Sequence, residues 1–447
     1  MNLLVRFIVV AAAVAFIVIA GSGTHADPAK PTDKSVVQSD PHGDAKAVGS
    51  AGCSGSNCHG GAPSDKPADM WKSSYTAFMG HDKHTQAWDV LNNDRSKEIV
   101  KSWSHGTQKD ATHVWQCLAC HSNPTLAMAD NATPAVRQLQ SEGVSCESCH
   151  GNASKYLHAH TGWLQSGESR LGMTGLNSID TRAHTCAGCH VGAPADPVLG
   201  LPLRDVTHDM IAAGHPRLNY EFASYSRLMP PHWWERDRRT NDADHAKNVQ
   251  ERSWSIGQHA SAIAHLRLLD SRLNSASAER WPEFAEFNCY ACHHDLQPAS
   301  WRRELPKLTP GSLIWNRPGI RSAAGPLSAE LDAVENALAK SLTTKDSSPH
   351  KAVVKAVRQF AARQSSPAAA FLNLTDAEWQ NLDWDQAARV YAAGVAMAQS
   401  KLNNPEVVAA IESLHCKLKF TNGIDSPAKY TPAKTRDKLR EFIKMVR

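Results

Sequence analysis

Cys117-Leu118-Ala119-Cys120-His121, Cys146-Glu147-Ser148-Cys149-His150 and Cys186-Ala187-Gly188-Cys189-His190 repeat one five-residue pattern three times. Two cysteines three apart share one face of a helical turn, so each sulfur can form a thioether with one of two neighbouring vinyl groups. The adjoining histidine then comes under the iron as its proximal ligand. CxxCH is the signature of covalent c-type haem attachment.

A fourth copy stands at Cys289-Tyr290-Ala291-Cys292-His293. A fifth site is stretched, Cys53-Ser54-Gly55-Ser56-Asn57-Cys58-His59, and its two extra residues can bulge out while the terminal Cys-His keeps its geometry. A turn without haem is the alternative for this one. With 11 Cys and 23 His among 447 residues, chance supplies only about 0.014 copies of CxxCH. CxxC pairs about 25 residues apart also read as zinc ribbons, but here histidine follows every pair at once. Ten of the eleven cysteines are thus assigned to five c-type haems, with His59, His121, His150, His190 and His293 as proximal ligands. The leftover Cys416 reads as a buried thiol near a helix end.

Arg6 followed by the apolar run Phe7 to Ala20, then small and polar residues ending in Thr24-His25-Ala26, reads as a secretory signal over 1–26. An uncleaved N-terminal membrane anchor is the alternative, although 14 apolar residues are short for a span. Export agrees with the motifs, because c-type haem is attached outside the cytoplasm, and makes the expected location periplasmic. Residues 27–50, rich in Pro, Asp, Lys and Gly, read as a flexible linker. The next stretch, 51–300, holds all five motifs, and 301–447 holds none. Charge divides in the same place: residues 1–300 carry 26 basic and 30 acidic side chains, against 22 and 14 in 301–447. Haem propionates would make the first part more acidic still, which bears on partners and steering and not on fold.

Each iron needs a group on its other face, and fourteen non-motif histidines lie between residues 53 and 300. Trp71 to Leu91 looks helical, and His84, Trp88 and Leu91 at i, i+4 and i+7 place one imidazole on an apolar stripe. His81 competes from a different face. Of His158 and His160, the second, near Trp163, is the choice; between His105 and His113 the pattern decides little. From Val191 to Asn288 no attachment motif occurs, yet His208, His215, His232, His245, His259 and His265 do, so the stretch reads as a donor of distal ligands. His208 and His215 share a face if Thr207 to Ala213 is helical, with Gly214 and Pro216 as the stop. Val249 to Leu273 is a strong helix in which Ile256, His259, Ile263 and Leu266 share a face. The expected distal set is therefore His84, His160, His208, His215 and His259.

Pro230-Pro231-His232-Trp233-Trp234 with Arg236, Arg238 and Arg239 reads as a solvated loop or as arginines for haem propionates, and nucleic acid does not suit an exported chain. Beyond it come helices: Leu327, Leu331, Val334 and Leu338, then Val353, Val357 and Phe360, a capping box at Thr375 to Glu378, and a helix opened by Pro405. No stretch supplies the strands of an α/β fold. The fold class is mainly α, a multihaem body followed by a C-terminal helical domain.

The sequence resembles the multihaem cytochromes of the cytochrome c-554 class, related to the hydroxylamine-oxidising and nitrite-reducing multihaem enzymes. The likeness is carried by Lys83-His84-Thr85-Gln86-Ala87-Trp88, by Gly143 to Gly151, by Ala212-Ala213-Gly214-His215-Pro216-Arg217-Leu218 and by Phe287 to His294. It implies stacked haems, mainly bis-histidine ligation and electron relay. A fifth site and the helical extension depart from the tetrahaem pattern. The lysine-ligated CxxCK of the pentahaem nitrite reductases is missing, which disfavours that activity. Electron transfer is the leading reading, with redox proteins, a membrane quinol-oxidising complex or a periplasmic oxidoreductase among the expected partners. A multihaem oxidoreductase acting on a small nitrogen or sulfur compound at one five-coordinate haem is the alternative.

Overall fold

Short capped helices make up the first half of the chain and longer ones the second. The computed structural model describes residues 45–447 except 65, 130–131, 163–170, 234–248, 275–280, 290–291, 294–300, 302–312, 319–327, 343–347, 364–366 and 419–429. The secretory signal, most of the expected linker, Trp163, Trp234, Arg236, Arg238, Arg239, His245 and His294 lie outside the described residues. Among the described residues β-structure amounts to three isolated bridges, Ala193 with Arg204, Asp196 with Leu201, and Phe287 with Trp315. No described helix is long and apolar enough to cross a membrane.

The helix expected over Trp71 to Leu91 is broken. Helix α1 (Ser74–His81) stops at Asp82, whose extended backbone and buried carboxylate cap the next turn by accepting from the His84 amide at 2.9 Å. Two 3-10 turns, Lys83–Gln86 and Asp89–Asn92, replace the rest. Trp88 and Leu91 still reach one small cluster with Val100, Val114 and Leu118. That cluster is shared by α2 (Asp94–Trp103), capped by Asn93, and α3 (Trp115–His121). Then follow α4 (Pro134–Ser141), capped by Thr133, α5 (Cys146–His150), α6 (Ile179–His190), α7 (His208–Ala212) and α8 (Phe222–Leu228).

The end of the expected linker is fastened rather than loose. Asn152 donates to the Ala45 carbonyl, Lys46 pairs with Ser154, and the amides of Val48 and Gly49 donate to the buried Glu147 carboxylate. One carboxylate inside the third motif thus holds a segment almost a hundred positions away.

Helix α9 (Val249–Asn274) joins the motif-bearing and motif-free parts of the chain. It packs on α6 and α8 on one side. Elsewhere it meets α11 (Ser348–Ala361) and α14 (Trp384–Met397). Its Ile263, Leu266 and Leu269 pack with Leu331, Val334 and Leu338 of α10 (Ser328–Ser341) and with Val353, Ala356 and Phe360 of α11. Trp254, fully buried, enters a second cluster with Leu372, Trp379, Val390, Leu414, Leu439 and Phe442. These come from α12 (Ala368–Phe371) and its C-cap, α13 (Asp376–Gln380), α14, α15 (Pro405–Leu418) and α16 (Pro432–Val446). The capping box at Thr375 and Glu378 is formed in both directions. Cys416 differs from expectation: it is exposed, because Leu414 and Leu418 occupy the buried face of α15.

A buried ion network closes the lower end of α9. Arg272 donates to Asp205 and to Glu286, both at 2.5 Å, while Glu286 also meets His265 at 2.9 Å and the Trp315 indole at 3.1 Å. Burial would raise the Glu286 carboxyl, but His265 and Arg272 outweigh it and bring it from 4.5 down to about 2. A depressed carboxyl stabilises the fold fully above its ordinary value, and that stability is lost as pH falls through the folded value. Melting temperature should therefore drop as pH falls from about 4.5 to 2, and Glu286→Gln should flatten that slope. Arg272→Met, which strands the carboxylate, should cost about 3–5 kcal/mol. An unchanged acid slope in the Gln variant would count against the assignment.

Candidate haem sites

Three of the motifs close helices: α3 ends on Cys117 to His121, α5 is Cys146 to His150, and α6 ends on Cys186 to His190. Their two cysteines therefore share a helical face, as thioether formation requires. At Cys289 the same closure appears as a single turn, with the His293 amide donating to the Cys289 carbonyl at 2.8 Å. The stretched site preserves it too. The His59 amide reaches the Cys53 carbonyl at 3.3 Å, while Cys58 and Gly60 both donate to Gly55 and form the bulge. A Cβ at Gly60 would lie 1.9 Å from the Ser54 carbonyl oxygen, so only glycine fits there.

Four of the five motif histidines face a second imidazole. Ring centres are 6.1 Å apart for His59 and His160, 6.5 Å for His121 and His215, 6.0 Å for His190 and His84, and 6.4 Å for His293 and His208. The members of each pair come from distant segments. Most of them turn Nδ1 to an acceptor: His59 to the Trp71 carbonyl at 2.8 Å, His121 to Ala87 at 2.8 Å, His160 to Tyr156 at 3.0 Å, His215 to Pro216 at 2.8 Å and His84 to the Asp82 carboxylate at 2.9 Å. That leaves Nε2 directed elsewhere. Burial lowers His190 to about 4, with His84 adding to the effect, and burial likewise lowers His121 and His215. Such rings stay neutral, which is the form that binds metal. Next to Asp82, by contrast, His84 is raised through their hydrogen bond.

The thiols meet across motifs. Cys53 lies beside Cys146, Cys120 beside Cys189, and Cys149 feels Cys186 and Cys189. None is paired as a disulfide. Around them opens a cavity of about 1590 Å³ lined by Cys117, Cys120, Cys149, Cys186 and Cys189 and by four histidines of the pairs. A site for one drug-sized ligand takes roughly 300–1,000 Å³, so this space suits more than one large planar group.

Residues 53–151, which contain the first three motifs, match the family described as cytochrome c554 and c-prime. That stretch is similar to cytochromes of the c554 class. Its role is that of a c-type cytochrome in electron transfer. No curated protein and no solved structure matches it.

Do the residues of this cytochrome fit haem? An iron between two imidazoles, with metal–nitrogen bonds of about 2.0–2.1 Å and roughly 1.1 Å from nitrogen to ring centre, needs ring centres about 6.3 Å apart. The four pairs fall at 6.0–6.5 Å. Arg204, on the cavity wall beside Cys189, buries its Nε without a partner, as a carboxylate-binding cation would before its ligand arrives. Both observations fit.

Of the expected distal histidines, the fold brings His84, His160, His208 and His215 to motif histidines. It does not bring His259 to one: that ring stacks on Phe360 of α11 at 5.7 Å, inside the helical pack. His81, His105, His113 and His158 are exposed. His150 is half-buried, its Nδ1 is buried without a hydrogen-bond partner, and burial lowers the ring to about 4. Asp82, Glu147 and Arg204 serve the site and went unnoticed in the sequence. Their types and positions carry no periodic or spacing signal.

The loop before α5 also sets His84. Gly143, at φ 71°, would with a Cβ meet the His84 carbonyl oxygen at 2.7 Å, and the Val144 amide donates to that oxygen at 3.2 Å. Gly143→Ala should therefore destabilise the protein by about 1–3 kcal/mol, whereas Gly80→Ala, where nothing lies within 4 Å, should not. Equal melting points for the two variants would show that the close approach is not needed.

Proposed function

We propose that this cytochrome is an exported five-haem electron relay with mainly bis-histidine ligation. The observation that carries the reading is the set of four imidazole pairs spaced for one iron each. Bound haem supplies one-electron exchange at iron, and a six-coordinate iron exchanges electrons without taking up substrate. The chain's residues hold the sites in contact. Cys53 against Cys146 puts the His59 site beside the His150 site; Cys149 near Cys186 and Cys189 carries the order on to the His190 site. Cys120 against Cys189 then reaches the His121 site, and α7 with the turn after it, bearing both His208 and His215, joins this to the His293 site. Of the ten motif cysteines only Cys58 and Cys292 are exposed, one at each end of that order. Electrons would thus come in and leave at the two ends, to redox proteins such as a membrane quinol-oxidising complex or a periplasmic oxidoreductase. Covalent attachment outside the cytoplasm supports the periplasmic location.

Mass spectrometry of the matured protein should show five haems, and Cys53→Ala with Cys58→Ala should remove one. A wild-type mass with four would take the stretched site out. His84→Ala and His215→Ala should each keep the mass and turn one low-spin haem high-spin in low-temperature EPR. Ring planes distinguish the signals: His59 with His160 stand at 9°, but His84 with His190 at 76° and His121 with His215 at 86°. The last two should give the more anisotropic low-spin resonances. If both variants keep the wild-type spectrum, these histidines are structural only.

A further inference from the structure

We propose that Asp82 sets the redox potential of one haem: its carboxylate strengthens His84 as an iron ligand and holds the haem between His84 and His190 at a lower midpoint potential than the other three paired haems. This deepens the five-haem reading above and rests on it.

The paired histidines differ in what holds Nδ1. His59, His121, His160 and His215 each meet a backbone carbonyl, a neutral acceptor, at 2.8–3.0 Å. His84 instead meets Oδ1 of Asp82 at 2.9 Å. Beside His208 stands another carboxylate, Asp209, but it is 86% exposed and lies 3.9 Å from Nδ1, beyond hydrogen-bond reach. Among the described residues His84 is thus the paired ligand that donates to a carboxylate.

That carboxylate is placed to act strongly. Asp82 is 4% exposed, so water screens it little. Its Oδ1 accepts from the His84 amide as well as from the ring, both at 2.9 Å, which keeps it in register with the imidazole. Oδ2 is buried and has no hydrogen-bond partner, so the charge bears on His84 through one oxygen. A charge-assisted hydrogen bond is roughly twice as strong as a neutral one. On the far nitrogen of a ligating imidazole it raises the basicity of the ring. A more basic ligand stabilises ferric iron over ferrous, and the potential falls.

The other ligand of this iron offers no such pull. His190 packs against Tyr220 and Tyr225, ring centres 5.2 and 5.1 Å away, and both contacts are uncharged. Arg204, close to Gly188 of the same motif, opposes the effect only until a haem carboxylate neutralises it. In the order of sites given above this haem is the middle one. An electron placed at either end therefore meets an unfavourable acceptor half-way.

Capping and tuning by Asp82 can be separated, because Asn caps as well as Asp does. Asp82→Asn keeps the oxygen that caps the turn and offers Nδ1 a neutral acceptor like the carbonyls of the other sites. Redox titration of the matured full-length protein, followed by haem absorbance and low-temperature EPR, tests the proposal, with intact mass as the control for haem number. Asp82→Asn should keep five haems and every spin state of the wild type, and should shift one midpoint potential upward while the rest stay. Asp82→Glu, which keeps the charge, should restore the wild-type value. The haem that moves should be one with a strongly anisotropic low-spin signal, as the 76° between the His84 and His190 planes requires. Unchanged potentials in Asp82→Asn would overturn the proposal. So would a change of spin state or a joint shift of several haems, which would mean that Asp82 only holds the turn. Should Asp82→Asn fail to mature, the wild type decides: among the paired haems the last signal lost on reduction should be a strongly anisotropic one. If it is instead that of His59 and His160, whose planes stand at 9°, the proposal fails. A mass short of five haems would count against the five-haem reading itself.

Discussion

A metal held between two imidazoles would admit little freedom: about 6.3 Å between ring centres follows from two bonds and two rings. Four pairs of rings in the motif-bearing part come close to that separation, each pair drawn from segments 85–106 positions apart. Long helices would not serve it. The chain there uses short helices that restart at side-chain caps, so that each histidine can be aimed separately. Asp82 shows the device most plainly: it ends one helix, caps the next turn and holds the Nδ1 of His84. Glu147 does comparable work for the third motif, gathering the amides of Val48, Gly49 and Ala153 around one buried carboxylate.

Much of this was legible in the sequence, and what was not has physical reasons. Cysteine spacing and the adjoining histidine are local, so all five motifs could be read without a fold. His84 over His81 and His160 over His158 followed from the apolar company of one ring in each pair, and the exposed member of each is indeed the other. The same logic misplaced His259. Periodicity says that a ring is buried but not what lies opposite; α9 turns that face to Phe360 of α11 and not to a cofactor cavity. The unbroken helix expected over Trp71 to Leu91 and the buried Cys416 failed for related reasons. A cap at Asp82 outweighed the apolar repeat, and Leu414 and Leu418 had already taken the inner face of α15.

The motif-free helices answer a different need. Apolar faces carrying Leu331, Val357, Trp384 and Ile411 are packed into two clusters, each of which takes residues from α9. The basic excess of this part stays outside: Lys351, Lys355 and Arg358 are exposed on α11 while Val353, Ala356 and Phe360 point inward. Covering and charge are thus properties of opposite faces of the same helices. An acidic surface steered by such charges would be felt over roughly 8 Å at physiological ionic strength, whereas the packing beneath is indifferent to salt.

The two parts also differ in where their core comes from. Around the motifs the apolar clusters are small and rich in alanine, such as Ala111, Ala119 and Ala127 with Leu91, Val100, Val114 and Leu118. A cavity of about 1590 Å³ stands where further side chains would otherwise meet. Trp254, Leu372, Leu414, Leu439 and Phe442 make the opposite kind of core, large, fully apolar and independent of any cofactor. Truncating one such buried aromatic costs about 3–5 kcal/mol, a large fraction of the 5–15 kcal/mol by which domains are stable. Helix α9 has one side on each. Through it a part whose interior opens on a large cavity is braced by a part whose interior is filled by side chains, and the ion network at Arg272 fastens that brace where α9 ends.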